Sequence, residues 1–333
     1  MLTARLAKER SQVYNCIVFN PTEIIFAPTT RCNLRCSHCR VRTSSTELPL
    51  ADALDFLDRC ANEGIERIGF SGGEPFLALD FLVAACKLAV QRDMLFDRLM
   101  TNGCWWKDQA ELDASLKRIA DAGFDGTIGL SHDAYHGQSP QLMAEFIQAA
   151  HRAFGARDCV EILSVRSPDD GAFLTGMKTL ADLLGGSLIL DDGEPVAIAD
   201  RSSRTGEELA GELLSIPVLR SPRSAGADEA AWTSERWFKD DYCEGPGNVL
   251  YVHSDGTVAA CCGFANENPQ LILGTIQDAF SDIMENAAKN SHVQMCYESG
   301  LATHRAALEQ QGTRFPGKTS DPCFFCDWLC KDR

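Results

Sequence analysis

Three cysteines near the start of the chain are spaced closely enough to bind one metal centre. They are Cys32, Cys36 and Cys39, arranged as C-x3-C-x2-C after the apolar run 23–27. Thiols this close cannot all form disulfides without strain, and three thiolates are one short of a closed zinc site. His38 lies inside the loop, where it is poorly placed to bind the same metal. An iron–sulfur cluster with one open iron fits better than zinc or a group of unligated thiols.

The array resembles the signature of radical S-adenosylmethionine (SAM) enzymes. The resemblance implies that the three thiolates hold a 4Fe-4S cluster whose open iron binds the amino and carboxylate groups of SAM. An electron from the cluster then cleaves SAM to a 5′-deoxyadenosyl radical, which removes a hydrogen atom from the substrate. The residue before the third cysteine is usually aromatic in this family, and His38 occupies that cofactor-binding position.

Alternating strand-like and helix-like segments follow the cysteine loop. Apolar runs predict six strands, at 23–28, 65–71, 95–101, 126–131, 160–165 and 187–190. Segments with helical periodicity lie between them, at 50–63, 79–92, 108–122, 139–153 and 171–184. The alternation predicts an α/β fold with a parallel sheet, either open and doubly wound or a barrel. The resemblance implies a partial (β/α)6 TIM-type barrel, with the chemistry at the carboxyl ends of its strands.

The turn after the second predicted strand contains two glycines and a carboxylate, in the order Ser-Gly-Gly-Glu-Pro at 71–75. Glycine lets the backbone approach a ligand closely, and a carboxylate can bind a protonated amine. The turn resembles the Gly-Gly-Glu motif of the family, which implies that Gly72, Gly73 and Glu74 contact the SAM amino group. Without the cysteine array one βα unit earlier, an ordinary loop would be the better interpretation.

Polar residues also follow the third, fourth and fifth predicted strands. The resemblance implies that Thr101 and Asn102 line the SAM pocket, that Ser131 and Asp133 contact SAM or substrate, and that Arg166 binds the SAM carboxylate. Three more residues of the fourth loop are candidates for substrate binding or proton donation: His132, Tyr135 and His136. Each of these would also fit a surface or capping role.

Composition excludes several classes of protein. The chain has 333 residues, 45% of them hydrophobic, and carries no apolar run near the roughly 18 residues that span a bilayer and no secretory pattern. The formal net charge of −16 disfavours general nucleic-acid binding. Fifteen cysteines without a signal peptide indicate metal ligation in a reducing compartment. We therefore expect a cytoplasmic protein without a membrane or nucleic-acid partner.

A second group of cysteines begins at Cys243. Two β-like runs joined by Ser-Asp-Gly at 254–256 predict a hairpin, whose open end would bring Cys243 and Cys261 together. The later Cys323-x2-Cys326 pair can supply two more thiolates. The order resembles the SPASM domain or its shortened form, twitch, which implies one auxiliary 4Fe-4S cluster on these four cysteines. A zinc ribbon is the alternative, and Cys330 is an alternative ligand.

These features together predict three regions. They are a radical SAM barrel at 1–195, a loop-rich bridge at 196–240 with one helix at 206–214, and a SPASM/twitch domain at 241–333. The resemblance implies modification of a ribosomally made peptide by crosslinking, oxidation or epimerisation, with a flavodoxin- or ferredoxin-type electron donor. Cys262 and Cys330 are candidate catalytic thiols that return a hydrogen atom to the substrate. The alternatives are a small-molecule alcohol dehydrogenase of antibiotic biosynthesis and a non-catalytic iron–sulfur or zinc scaffold.

Overall fold

The computed structural model describes residues 19–41, 45–166, 170–200, 214–221, 231–238, 248–298 and 300–331. The strands are β1 (Glu23–Phe26), β2 (Arg67–Phe70), β3 (Leu95–Thr101), β4 (Thr127–Ser131), β5 (Val160–Val165), β6 (Gly186–Asp191), β7 (Glu194–Asp200), β8 (Ser215–Ser221), β9 (Val249–Val252), β10 (Thr257–Ala259) and β11 (Ile272–Thr275). The helices are α1 (Leu50–Asn62), α2 (Leu79–Gln91), α3 (Gln109–Asp121), α4 (Pro140–Phe154), α5 (Asp170–Leu183), α6 (Phe280–Lys289), α7 (Ser291–Glu298), α8 (Leu301–Gln310) and α9 (Pro322–Lys331).

The sheet has the order β11-β10-β9-β1-β2-β3-β4-β5-β8-β7-β6. Neighbouring strands from β9 through β1 to β5 and on to β8 pair in parallel. The five predicted helices form at the expected places, within one or two residues at each end. The prediction of an α/β fold with a partial (β/α)6 barrel is confirmed, and β9 adds a further parallel strand beside β1.

The sixth predicted strand is real but does not have the predicted role. The run at 187–190 belongs to β6, which pairs antiparallel with β7, and β7 pairs antiparallel with β8. The reason is the two-residue turn Asp192-Gly193, in which both residues have positive φ, the geometry of a tight hairpin. The sixth parallel strand is therefore β8, which lies in the stretch 196–240 that was expected to bridge two domains. The helix predicted at 206–214 falls, apart from Leu214, outside the described residues.

Local signals explain where the barrel helices begin and end. The side chain of Asp108 accepts a hydrogen bond from the backbone N–H of Glu111 at 2.9 Å and so caps α3. Ser139 caps α4 in the same way, with Pro140 at the first helical position and Gly155, at φ +69°, ending the helix. The barrel helices bury their apolar faces, where side chains such as Phe56 and Phe146 are fully buried.

The C-terminal half packs directly onto the barrel. The predicted hairpin is confirmed as β9 and β10, and β9 pairs with β1, the strand that leads into the cysteine loop. Arg59 of α1 donates hydrogen bonds to the backbone carbonyls of Ile276 and Asp278. The aromatic side chains of Trp237 and Phe315 pack against Phe325 and Trp328 of α9. Among the described helices, none is both long and apolar enough to cross a bilayer.

Candidate active site

A cavity of ≈ 850 Å³ opens at the carboxyl ends of the first barrel strands. One wall is the cysteine loop after β1, and the floor contains the turns after β2, β3 and β4. A further wall comes from the hairpin and the segment after it, and includes Tyr251, His253, Cys262 and Glu267. The cavity therefore lies where parallel-strand folds place their chemistry, and the C-terminal half helps to enclose it.

The three cysteines of the loop converge on this cavity. Cys32, Cys36 and Cys39 all line it, and the backbone N–H of Cys39 donates to the carbonyl of Cys36 at 3.1 Å. The backbone N–H of Leu34 and the side-chain amide of Asn102 lie 3.4 and 3.6 Å from the sulfur of Cys32. Partial burial raises the pKa of the Cys32 and Cys39 thiols, so metal binding must release their protons. Three soft donors facing one open space, with N–H groups directed at sulfur, fit an iron–sulfur cluster with one open iron.

Gly72 and Gly73 let the turn after β2 lie directly against the cysteine loop. A Cβ atom at Gly73 would lie 2.3 Å from the carbonyl oxygen of Arg31, and Gly72 has φ +125°. The close approach is held by backbone hydrogen bonds of 2.8 Å from Gly73 to Thr29 and from Glu74 to Arg31. Both glycines line the cavity, so their backbone is available to a ligand.

Glu74 lies behind the cavity wall. Its carboxylate is completely buried and accepts hydrogen bonds from the Thr101 hydroxyl (2.9 Å), the Asn102 backbone N–H (2.8 Å) and the Phe76 backbone N–H (3.2 Å). Burial raises the pKa of Glu74 to about 7, against the effect of these three donors. Glu74 does not line the cavity that Gly72 and Gly73 line, and its contacts make it a positioning group for the end of β3.

Thr101 and Asn102 line the cavity. The side-chain amide of Asn102 donates to the side-chain oxygen of Asn33 at 2.8 Å, and the amide of Asn33 donates to the backbone carbonyl of Cys104 at 2.8 Å. These bonds join the end of β3 to the cysteine loop. The role of Asn33 was missed in the sequence because its partners lie about seventy residues away in the chain.

Some residues of the polar loop after β4 line the cavity, and others are buried in the protein interior. Ser131 and His136 line the cavity. Asp133 is buried and accepts a hydrogen bond of 2.8 Å from Nδ1 of His136. Burial alone would lower the pKa of His136, but Asp133 and the contact with Cys36 raise it to about 9. His132 points away from the cavity, is buried, and lies 3.4 Å from the side-chain oxygen of Gln138.

His38 belongs to the cysteine loop, and its ring packs against the loop after β4. Its ring centroid lies 4.8 Å from that of Tyr135 and 5.0 Å from that of His136. His38 lines the cavity. Arg166 lies elsewhere: it is exposed, is 3.6 Å from Glu194, and does not line the cavity.

Residues 26–157 match the family model of the Radical SAM superfamily. The chain carries a radical SAM domain. The chain is 37% identical over 99 residues to a GTP 3',8-cyclase of Nautilia profundicola and 36% identical over 95 residues to the S-adenosylmethionine-dependent nucleotide dehydratase RSAD2 of Siniperca chuatsi. Each match covers 27% of this chain, and 31% and 26% of those proteins, so the chain spans under a third of their length.

Solved structures are similar over most of the chain. The anSMEcpe structure with bound AdoMet and Cp18Cys peptide has a TM-score of 0.54 at 15% identity, over 93% of this chain and 95% of that one. The BtrN structure in complex with AdoMet and 2-DOIA has a TM-score of 0.51 at 17% identity, over 87% of this chain and 91% of that one. At these identities the likeness shows a shared fold. It extends well beyond the radical SAM domain into the C-terminal half.

The wall formed by the hairpin and the segment after it contains residues that the sequence did not single out, among them Tyr251 and Glu267, beside the candidate thiol Cys262. Tyr251 is buried in β9, and its hydroxyl forms hydrogen bonds with Ser71 and Asn266; burial raises the pKa of Tyr251 to about 12. Cys262 is exposed and lines the cavity, as does Glu267. The alternation of β9 could have placed Tyr251 on one face of the strand, but only the pairing of β9 with β1 directs that face to the cavity.

A second set of thiols lies outside the radical SAM domain. Cys261 is buried, and its sulfur and that of Cys323 both lie close to Gly263. A Cβ atom added to this glycine would lie 2.9 Å from the sulfur of Cys323 and 3.8 Å from that of Cys261. On α9, Cys326 is in hydrogen-bonding contact with Cys330 and with Cys296 of α7, a residue that the sequence motif did not include. Five thiols from three segments suit a metal–thiolate site.

The two candidate catalytic thiols are placed differently. Cys330 is buried beside Cys326, whereas Cys262 faces the cavity that the cysteine loop lines. Cys243, the remaining predicted ligand, lies outside the described residues. The described cysteines form no disulfide bond.

Proposed function

We propose that this protein is a radical SAM enzyme whose cluster is held by Cys32, Cys36 and Cys39. The observation that carries the proposal is that these three thiols, spaced as the family signature requires, face one cavity. When bound, the cluster and SAM supply a 5′-deoxyadenosyl radical for hydrogen abstraction. The backbone of Gly72 and Gly73 is exposed in the cavity beside the loop and would receive the polar end of SAM.

The remaining barrel residues shape the cofactor pocket. Thr101, Asn102 and Ser131 supply hydrogen-bonding groups along the strand ends, and His38 supplies a ring beside the third cysteine. Glu74 and Asp133 support this wall from behind through buried hydrogen bonds. Because Arg166 does not line the cavity, we assign it no contact with SAM.

For the C-terminal half we propose a SPASM/twitch-type auxiliary 4Fe-4S cluster on Cys261, Cys323 and Cys326, with Cys243 as the expected fourth ligand. The proximity of Cys261 to Cys323, and of Cys326 to two further thiols, supports it. Zinc is the alternative occupant of the same thiols. Anaerobic iron, sulfide and zinc analysis distinguishes them, since a four-iron cluster brings equal iron and sulfide and no zinc.

For the substrate we propose a ribosomally made peptide, modified by crosslinking, oxidation or epimerisation. The similar fold of anSMEcpe, a protein whose structure holds a peptide beside AdoMet, supports a peptide substrate. The second candidate is a small-molecule dehydrogenase, supported by the similar fold of BtrN, whose structure holds 2-DOIA. Reduction of the cluster requires an external donor, for which we propose a flavodoxin or ferredoxin in the cytoplasm.

Cys262 is the residue that we assign to hydrogen return. Its thiol lines the same cavity as the cysteine loop, so it is within reach of a substrate bound there. In an epimerisation the S–H bond breaks, the hydrogen atom passes to the substrate carbon radical, and the thiyl left behind takes one electron from the external reductant and one proton from solvent.

The test is an anaerobic incubation of reconstituted protein with SAM, reductant and a candidate peptide in heavy water, followed by mass spectrometry. Formation of 5′-deoxyadenosine supports the radical SAM reaction, and a Cys36→Ala protein should form none. Gain of one deuterium at carbon, lost in Cys262→Ser, supports epimerisation; loss of two hydrogens supports a crosslink or oxidation. Absence of deoxyadenosine under every condition, with wild-type activity of Cys36→Ala in the cell, would favour a non-catalytic scaffold.

A further inference from the structure

We propose that the inner face of β8, β7 and β6 binds an extended segment of the peptide substrate, which adds a strand beside β6. The proposal rests on the proposed function with a peptide as substrate. It names the surface that recognises this peptide outside the reacting centre, and the chemistry of the segment that fits there.

Strand pairing shows which face of β8 is directed to the same side as the cavity. Ser131, at the end of β4, lines the cavity and is paired with Leu163 of β5. Leu163 is in turn paired with Leu219 of β8. Directly paired residues of neighbouring strands share one face of a sheet. Leu219 therefore lies on the face that Ser131 presents to the cavity.

The same face continues across the antiparallel strands to the edge of the sheet. Pro217 lies two residues before Leu219, so both are on one face, and Pro217 is paired with Ala197 of β7. Ala197 is paired with Ile189 of β6. Leu219 and Ile189 are each 44% exposed. The intervening residues are buried on the helix side: Ile198, Ile216 and Val218. An exposed apolar surface of this kind, continuous with the side of the cavity, is typical of a binding site.

The strand β6 also offers backbone groups to a partner. It is the last strand in the order of the sheet, and among the described residues its ladder partner is β7 alone. An edge strand presents N–H and C=O groups that can pair with a further extended chain, and apolar side chains on the edge strengthen that pairing. Ile189 and Leu190 are both large, apolar and more than two-fifths exposed. Their adjacent positions suit a partner that is itself an extended chain.

Charge indicates the kind of peptide. Glu194, the first residue of β7, accepts a hydrogen bond from Arg220 at 2.8 Å and lies 3.6 Å from Arg166. Its charge is therefore balanced by the arginines at the carboxyl ends of β8 and β5. Asp191 and Asp192 of the adjoining turn are exposed at the same edge of the sheet. Two exposed carboxylates beside an apolar face complement a peptide that carries a lysine or arginine next to apolar residues.

The spacing of the strands separates the docked segment from the reacting residue. Four strand-to-strand steps lead from β4, which ends at the cavity, to β6. At about 4.8 Å a step, this is about 19 Å along the sheet, or about six residues of extended chain. The segment that gives affinity is therefore distinct from the residue that is modified.

The experiment begins with a random decapeptide library, panned anaerobically against the reconstituted full chain. We expect enriched peptides to have apolar residues at every second position and a lysine or arginine near one end. N-methylation of the peptide backbone, one residue at a time, should weaken binding at every second position, because an added strand bonds through alternate residues. Failure to enrich any peptide, or loss without this alternation, would overturn the proposal.

Substitutions in the protein locate the surface. Leu219→Asp and Ile189→Asp place a charge in the apolar contact and should each weaken the enriched peptides about tenfold or more. Asp192→Asn keeps a residue that tolerates the positive φ of this turn, and should reduce both the affinity and its dependence on salt. Leu95→Asp is the matched control, because Leu95 is 61% exposed at the amino end of β3, away from this face, and should bind like the wild type.

Equal binding by the wild type, Leu219→Asp and Ile189→Asp would place the peptide elsewhere and overturn the proposal. So would a wild-type dimer in sedimentation that Leu219→Asp dissociates, since the occupant would then be a second copy of the chain. Circular dichroism and iron content identify a variant that does not fold, and the N-methyl series on the wild type then decides alone.

Failure of the proposed function gives a different result. If peptides bind this face but no 5′-deoxyadenosine forms with SAM and reductant, the radical SAM reaction is wrong while the docking surface stands. If deoxyadenosine forms and no peptide is enriched, the radical reaction stands and the docking surface is wrong.

Discussion

The buried carboxyl of Glu74 should make the stability of the protein depend on pH between 5 and 8. Burial raises its pKa from the ordinary 4.5 to about 7, so the folded protein retains a proton that the unfolded chain releases. The stability that comes from the protonated form is complete below pH 4.5 and is lost as the pH rises through 7. A Glu74→Gln variant stays neutral throughout and should not show this loss.

The magnitude follows from the two pKa values. A separation of 2.5 units corresponds to about 3.4 kcal/mol in total, of which about 2.5 kcal/mol falls between pH 5 and pH 8. Glu74→Gln also loses one acceptor, since its amide N cannot accept the bond that a carboxylate oxygen receives from Asn102 or Thr101. That loss costs about 1–3 kcal/mol at every pH. The variant should therefore be less stable than the wild type at pH 5, with the difference about 2.5 kcal/mol smaller at pH 8.

The assay is anaerobic urea unfolding of the metal-free protein at both pH values, followed by tryptophan fluorescence. Glu63→Gln is the control, because Glu63 is exposed and the substitution should leave the pH dependence of unfolding as in the wild type. The deciding quantity is the difference in free energy of unfolding between the wild type and Glu74→Gln, compared at the two pH values. A difference between wild type and Glu74→Gln that is the same at pH 5 and pH 8 would refute the reasoning.

Three further substitutions test the supports of the site. Gly73→Ala places a Cβ atom 2.3 Å from the carbonyl oxygen of Arg31, so iron uptake into the cysteine loop should fall, while Gly176→Ala, with room for its Cβ, should keep wild-type iron content. Asp108→Ala removes the cap of α3 and should lower the free energy of unfolding by about 1 kcal/mol, measured by urea unfolding; no loss would show that the cap is replaced by water. Arg59→Met removes two bonds to the carbonyls of the 276–278 turn and should cost about 1–3 kcal/mol, with earlier proteolysis of the C-terminal half as the second measurement.

Much of the barrel was predictable because its signals are local. Ser139 with Pro140 marks the start of α4, and periodic apolar residues mark the faces that the helices bury. The assignment of the sixth parallel strand was wrong because an apolar run does not reveal whether its partner is parallel or antiparallel. The decisive signal, Asp192-Gly193, was present in the sequence as a hairpin turn but was not used.

The candidate site was predicted residue by residue where its members are close in the chain. The cysteine loop and the Gly72–Gly73 turn are examples, since their spacing alone indicates a metal and a close backbone approach. The direction of each side chain was not predictable in this way. Glu74 and Asp133 are residues of the type expected to contact a ligand, yet both are buried behind the cavity wall. Neighbouring strands and turns supply N–H donors to their carboxylates, which bind them more completely than an open cavity would.

The sequence by itself determined the chemistry that is available: three thiols at one metal's spacing, a glycine pair that must lie against backbone, and a later set of cysteines. These are properties of short segments, in which covalent connectivity already limits how far apart the atoms can be. Only the tertiary structure decided that Cys262 shares a cavity with the cysteine loop and that His136, held by Asp133, lines the same cavity. Cys262 and His136 are about a hundred or more residues from Cys36 in the chain, and the pairing of β9 with β1 and of the successive strands β1 to β4 brings them to one cavity.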